Sequence, residues 1–341
     1  MKKTIVFLVF FFFVISSLNF VSAEDKESDI VFLAVGDIML SRYIGKVMAV
    51  KGNDYPFEKV MPFLRKGDIV FGNLESVISA NYNTPFFPEK PYNFLASPDI
   101  VKTLRDAGFT VFNIANNHAM DYGPAALLEM RQLLKDSGID VFGAGKDLEE
   151  ARCPAVITVN GLRLAILGYG VAHSNQVYAG HSKAGILPVR LDYIRKDIQT
   201  LRSKVDFLIV SLHWGKEYER FPTEDQRRIA HLVIDWGADM ILGHHPHVLQ
   251  GIELYKDKMI VYSLGNFLFD QKGNGTDGSI ILACRFKDKV LHSMEVIPLD
   301  RFRAFFPKVA EGSKKEEILG DLKRFSLPLN SDPAILKDIG L

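Results

Sequence analysis

Short apolar runs rich in β-branched and aromatic residues recur along the chain, each closing on a glycine or a polar residue. DIVFLAVGD comes first, then KGDIVFGNLES, then DAGFTVFNIANNHAMDYG. Such runs predict buried strands that open into loops. Helix-period stretches lie between them, among them SPDIVKTLRDAG and GPAALLEMRQLLKDSG. The second carries Gly123 and Pro124 at its start and Gly138 just past its end, the expected order of helix punctuation. IDVFGAG follows as a further strand.

In the second half, AVITVNGLRLAILGYG places Asn160-Gly161 between two alternating runs, a hairpin signal. VDFLIVSLHWG and ADMILGHHPH are again strand-then-loop, separated by the helical TEDQRRIAHLVIDWG. GIELYKDKMIVYSLGNF and GSIILACRFKDKVLHSMEVIPL predict two antiparallel hairpins, turning at Lys256-Asp257 and near Lys287-Asp288. From Lys314 onward a polar helix and tail are expected. The alternation of strand and helix predicts a mostly parallel α/β arrangement. With the hairpins added, it becomes one α/β domain of two packed mixed sheets. NYNTPFFPEKPYNFLASP is a Pro- and aromatic-rich loop, expected near whatever the protein binds.

The N-terminus stands apart. MKK precedes the apolar TIVFLVFFFFVISSL, and small residues follow at Val21-Ser22-Ala23, the pattern of a secretory signal cut after Ala23. Retained, the run from Thr4 to Val21 is long enough to act as a membrane anchor. On either reading the body is exported, to the periplasmic or extracellular face. We divide the chain into 1–23 as signal or anchor, 29–300 as the domain, and 301–341 as a C-terminal helix and tail.

Composition adds limits. With 48% hydrophobic residues the chain can build a large core, and Lys+Arg balance Asp+Glu at 41 each. That balance argues against a generally basic nucleic-acid-binding surface, and no nucleic-acid partner is expected. Cys153 and Cys284 sit in apolar strand-like contexts, where a buried free thiol is expected at least as much as a disulfide.

Chemistry gathers where the strands end, which is where α/β sheets bind ligands. Asp37 follows IVFLAVG; Asn73 and Glu75 follow IVFG; Asn116, Asn117 and His118 follow VFNIA. His213 follows FLIVSL, and His244, His245 and His247 follow MILG. Each has an ordinary structural role open to it, such as Asp37 capping a helix or His118 bonding a carbonyl. Five converging strand ends are harder to explain as packing. Carboxylate, amide oxygen and imidazole together suit a divalent metal, with manganese, zinc and iron all compatible. The donors suffice for one or two ions.

The motifs VGDIMLSR, FGNLES, NIANNHAMDYG, SLHWGKEY, GHHPHVLQG and YSLGNFLFDQ, from about Val35 to Gln271, resemble the poly-γ-glutamate capsule-synthesis (CapA) family, itself similar to calcineurin-like metallophosphoesterases. The resemblance implies an αββα sandwich of two mixed sheets flanked by helices. It implies that Asp37 ligates a first metal, Glu75 bridges both, Asn117 and His213 hold the second, and His245 and His247 each take one. His244 is expected to be a bystander.

The resemblance further implies a hydrolase using a metal-activated water, with His118 as general acid and Asp121 orienting it. Arg42, Asn116, Lys216 and Asn266 are the expected substrate contacts. The implied substrate is an anionic polymer, or a phosphate or γ-glutamyl bond. A noncatalytic subunit of a membrane polymer synthase and a general envelope phosphoesterase are the alternatives. Two departures stand out: Met39 occupies the histidine position of the phosphoesterases' Asp-x-His, and their usual bridging aspartate is replaced. Asp68 precedes its strand, at the wrong sheet edge, which leaves Glu75.

Overall fold

The computed structural model describes residues 29–80, 85–87, 89–302 and 305–341; the expected signal or anchor at 1–23 lies outside them. β1 (Asp29–Ile38) is buried from Ile30 onward, as its unbroken apolar run requires. Then come α1 (Arg42–Lys51), α2 (Met61–Leu64), β2 (Ile69–Leu74), the short pair β3 (Val77–Ile78) and β4 (Leu95–Ala96), and α3 (Ile100–Ala107). β5 (Val111–Asn113), α4 (Gly123–Asp136), β6 (Asp140–Phe142), β7 (Ala144–Gly145) and α5 (Leu148–Ala151) complete the first half. The second half begins with β8 (Ala155–Val159), β9 (Leu162–Gly170), β10 (Gly185–Ile186), α6 (Leu191–Leu201), β11 (Phe207–His213), α7 (Glu224–Asp235) and β12 (Met240–His244). It ends with β13 (Ile252–Tyr255), β14 (Lys258–Val261), β15 (Asn266–Leu268), β16 (Ser279–Lys287), β17 (Val290–Phe302), β18 (Phe306–Val309) and α8 (Gly312–Ser326).

One sheet runs β18-β17-β16-β1-β2-β5-β6, with β15 also paired to β1; the other runs β13-β14-β12-β11-β9-β8. In the first, β1, β2, β5 and β6 are parallel; in the second, β9, β11, β12 and β14 are. Phe32, Phe71 and Val111 of the first sheet pack with Ile166, Ile209 and Leu242 of the second. Helices cover the outer faces. Ile44, Leu104 and Leu127 from α1, α3 and α4 lie on the first sheet, and Ile194, Ile198 and Val233 from α6 and α7 on the second. This is the expected αββα sandwich.

The chain between β14 and β15 crosses from one sheet to the other, and two glycines make room for it. A Cβ on Gly36 would lie 1.9 Å from the Gly265 carbonyl oxygen, and one on Gly243 would lie 1.9 Å from that of Tyr262. The crossing segment thereby joins the end of β1 to the end of β12.

Some expectations change. The last hairpin turns at Asp288 and Lys289, both left-handed at φ 51° and 66°, one residue later than expected. β17 runs through the expected boundary at residue 300 and pairs with β18, so the division at 301 cuts a strand. The segment after Lys314 is also more than a polar tail. α8 buries Ile318, Leu322 and Phe325, and Leu336 and Ile339 join the core between the sheets. Its lysines and glutamates obscured that narrow apolar stripe. Both cysteines are free; Cys284 is buried, whereas Cys153 is exposed, contrary to its apolar neighbours. Among the described residues no helix is long and apolar enough to cross a membrane.

Candidate metal centre

The parallel order brings the carboxyl ends of β1, β2 and β5 to one edge, and those of β11 and β12 meet them across the sandwich. Asp37, next to last in β1, is fully buried. Its Oδ1 accepts from Asn73 Nδ2 at 2.8 Å, and its Oδ2 accepts from the His245 backbone N–H at 3.2 Å. His244 Nδ1 and His247 Nδ1 each lie 3.3 Å from it. Burial pushes the Asp37 carboxyl upward, but the two imidazoles reverse this and hold it well below the usual range.

Glu75 is different. Neither carboxylate oxygen has a hydrogen-bond partner, although both are buried. The nearest imidazole nitrogens stand back: His247 Nε2 at 3.8 Å, His118 Nε2 at 3.9 Å and His213 Nε2 at 4.0 Å. Burial raises its pKa well above the usual carboxylate value. An orphaned buried carboxylate ringed by imidazoles calls for a cation between them. Two donor groups share it: Glu75 with His245 and His247, and Glu75 with Asp37 and His213, each with ligand atoms within 4.8 Å of one another.

The surrounding amides set the ring orientations. Asn73 Nδ2 also approaches His213 Nδ1 at 3.2 Å, leaving Nε2 beside Asn117 Oδ1 at 2.8 Å. His247 Nδ1 lies 2.9 Å from Asn266 Oδ1, which directs Nε2 toward Glu75. His245 and His247 are both left-handed, at φ 95° and 59°, a strained turn of the kind that collects at functional sites. The turn brings both rings inward. Burial, then the charge of His247, brings His245 down to about 3; burial, then His245, brings His213 well below its ordinary value.

His118 stands beside this cluster. Its Nδ1 lies 2.7 Å from Asp121 Oδ2, which also accepts the Phe94 backbone N–H at 2.8 Å. The carboxylate thus assigns the ring proton to Nδ1, and Nε2 faces Glu75. Phe94 stacks on the imidazole at 3.9 Å. Burial takes His118 down to about 4 against the pull of Asp121.

Other expected residues sit elsewhere. Asn116, expected on substrate, is turned inward: its Nδ2 donates to the Leu74 carbonyl at 2.8 Å, and its Oδ1 accepts from the His118 N–H at 3.1 Å. Asn266 likewise faces His247 and Gln271. His244 is fully buried against Asp37, its ring nitrogens make no hydrogen bond among the described residues, and it belongs to neither donor group. Lys216 is exposed in the loop after β11. Arg42 pairs with Asp270 at the rim. Met39 is buried, and its Sδ accepts from the Ser41 N–H at 3.0 Å.

Lys90 is the residue that sequence reasoning passed over. Its ammonium donates to Asp121 Oδ1 at 2.5 Å and the Asn117 carbonyl at 2.8 Å, and lies 3.1 Å from His118 Nδ1. It belongs to the Pro- and aromatic-rich loop, the one signal that pointed toward it.

Residues 31–271 match the family described as bacterial capsule synthesis protein PGA_cap. The chain belongs to this family. The matched span of this PGA_cap chain contains every strand end described above. It is 36% identical over 320 residues to the PGA biosynthesis protein CapA of Bacillus subtilis (strain 168), covering 92% of this chain and 83% of that one. It is 35% identical over 289 residues to the capsule biosynthesis protein CapA of Bacillus anthracis, covering 82% and 68%. A hypothetical protein of Thermus thermophilus shares the fold, with TM-score 0.51 and 14% identity over 80% of this chain and 100% of that one.

Proposed function

We propose that the chain is an exported metal-dependent hydrolase acting in envelope-polymer synthesis, on poly-γ-glutamate or a γ-glutamyl or phosphate bond connected with it. The carrying observation is Glu75, whose two buried, unbonded oxygens are shared by two donor groups. Asp37, His213, Asn117, His245 and His247 would complete the set, with His244 backing Asp37. Manganese, zinc or iron would supply a nucleophilic water at neutral pH and positive charge for the developing anion.

The chain's own groups do the rest. Asn73 aligns Asp37 with His213, and Asn266 aligns His247, so the donors are held before any ion arrives. Lys90 and the Phe94 N–H anchor Asp121, which fixes His118 with Nε2 toward the cluster. Neutral at rest, His118 gains its proton as a substrate anion arrives within reach, then passes it to the leaving group.

A noncatalytic accessory role is the second reading. Met39 favours it, because a thioether bonded to Ser41 stands where the phosphoesterases carry a histidine. The two readings part on metal removal. Chelation of the purified chain followed by reloading is expected to restore about two ions per chain, counted by mass spectrometry, and with them cleavage of tri-γ-glutamate or phenyl phosphate. A folded chain that takes up no metal sinks the hydrolase reading.

Loading also has a pH signature. In the metal-free chain burial lowers His247, but Glu75 and Asp37 prevail and hold it at about 9. An ion needs the neutral ring, so at neutral pH binding must expel that proton. Apparent affinity is expected to climb by up to about tenfold per pH unit and to level off above about 9. Calorimetry in buffers of differing ionisation enthalpy would register the proton; pH-independent affinity contradicts the assignment of His247.

A further inference from the structure

Arg42 opens α1 with a left-handed φ of 50°, a conformation an arginine keeps only where its surroundings hold it. Its Nε and Nη2 pair with the Asp270 carboxylate. Asp270 Oδ2 also accepts from the Tyr43 N–H at 3.0 Å, so one carboxylate fixes both the guanidinium and the start of the helix. Nη1 has no acceptor among the described residues, and the side chain is 28% exposed. The guanidinium carbon lies 4.9 Å from the Tyr92 ring and 5.0 Å from the Phe94 ring.

Those rings tie Arg42 to the centre. Phe94 stacks on His118 at 3.9 Å and packs edge-on against Phe269, whose ring lies 4.6 Å from that of His247. Tyr92 and Tyr218 are both exposed, and the Tyr92 ring lies against the guanidinium. Arg42 is therefore one aromatic layer from the metal donors, with an unbonded N–H edge in an aromatic cleft.

Charge balance selects the ligand. Asp270 neutralises Arg42, and Asp121 neutralises Lys90. The cleft wall thus offers directed donors without surplus positive charge. A carboxylate brings one negative charge to be met and a phosphate dianion about two, so a neutralised arginine with a free N–H edge suits the carboxylate better. We infer that Arg42 is a subsite for one carboxylate of the substrate, at the mouth of the metal centre, and that its pairing with Asp270 sets it against a phosphate dianion. This deepens the hydrolase reading, on which it rests for the neighbouring chemistry.

The test is calorimetric binding of tri-γ-glutamate and of phenyl phosphate to the manganese-loaded full chain. Arg42→Ala is expected to weaken tri-γ-glutamate by about tenfold or more and phenyl phosphate by no more than about threefold. Arg42→Lys keeps the charge but not the fork and should fall between. Asp270→Asn, which frees the cation, is expected to swing the preference toward phenyl phosphate. Metal content and melting temperature check the fold; should Arg42→Ala not fold, the other two variants carry the test. Unchanged tri-γ-glutamate affinity in a folded Arg42 variant overturns the subsite, as does an unchanged preference in Asp270→Asn. Binding that follows Arg42 without cleavage keeps the subsite and sinks the hydrolase reading; cleavage indifferent to Arg42 does the reverse.

Discussion

Glu75→Gln is expected to remove both proposed ions at once. Glu75 is the donor common to the two groups, and an amide keeps its shape while giving up the charge that draws a cation into a buried cluster. Metal content is expected to drop from about two ions per chain to below one. The effect on stability should change sign with the conditions. At an ion concentration a hundred times the dissociation constant, the wild-type chain gains about 2.7 kcal/mol from each site, and the variant loses that gain.

In chelator the order reverses, because the wild-type chain must bury a carboxyl that accepts no hydrogen bond. Burial raises the folded-state pKa of Glu75 above 4.5. Its favourable contribution is therefore present below about pH 4.5 and lost as the pH rises through the folded value. Glutamine has no such loss, so its advantage in the metal-free chain should widen with pH. Paired thermal melts with and without metal, over a pH series, would settle the matter. A variant that keeps two ions, or one less stable than wild type in both conditions, rules out Glu75 as the shared ligand.

His118→Ala is the second large effect, of the opposite kind. His118 belongs to neither donor group, yet its Nε2 faces the carboxylate they share. Turnover is expected to fall by about 10²–10⁴, the range for a lost acid or base, with metal content intact. Asp121→Asn should follow the same direction with a smaller loss, since it leaves the imidazole in place. If turnover survives in His118→Ala, another group carries the proton. If polymer production in cells also survives while loss of the folded domain abolishes it, the accessory reading gains.

The strand ends were legible because burial and chemistry leave opposite marks. VFLAV must lie inside, and an aspartate one glycine further on falls at the strand's carboxyl end, where sheets gather their chemistry. The same contrast exposes Glu75, His213 and the histidines after Gly243. Asn160-Gly161 was legible because a two-residue turn demands left-handed residues, and both adopt them. Lys90 and Asp270 were not. Lys90 reaches Asp121 across 31 positions, and Asp270 reaches Arg42 across 228, so no local period records either contact. Asn116 and Asn266, expected on substrate, bond inward to the Leu74 carbonyl and to His247; whether an amide faces inward depends on which carbonyl or imidazole lies opposite, which is a property of the packed sandwich. His244 illustrates the same limit. Only the arrival of Asp37 from the other sheet makes that ring an inner neighbour.

β1 has its own geometric consequence. Asp29 and Asp37 stand near opposite ends of β1, roughly 25 Å apart at the usual rise per residue. A tether joined ahead of Asp29 would therefore attach at the other end of this strand from the candidate metal centre. On the hydrolase reading proposed above, a chain hung that way would meet polymer that had already left the membrane rather than reach down into the machinery that makes it.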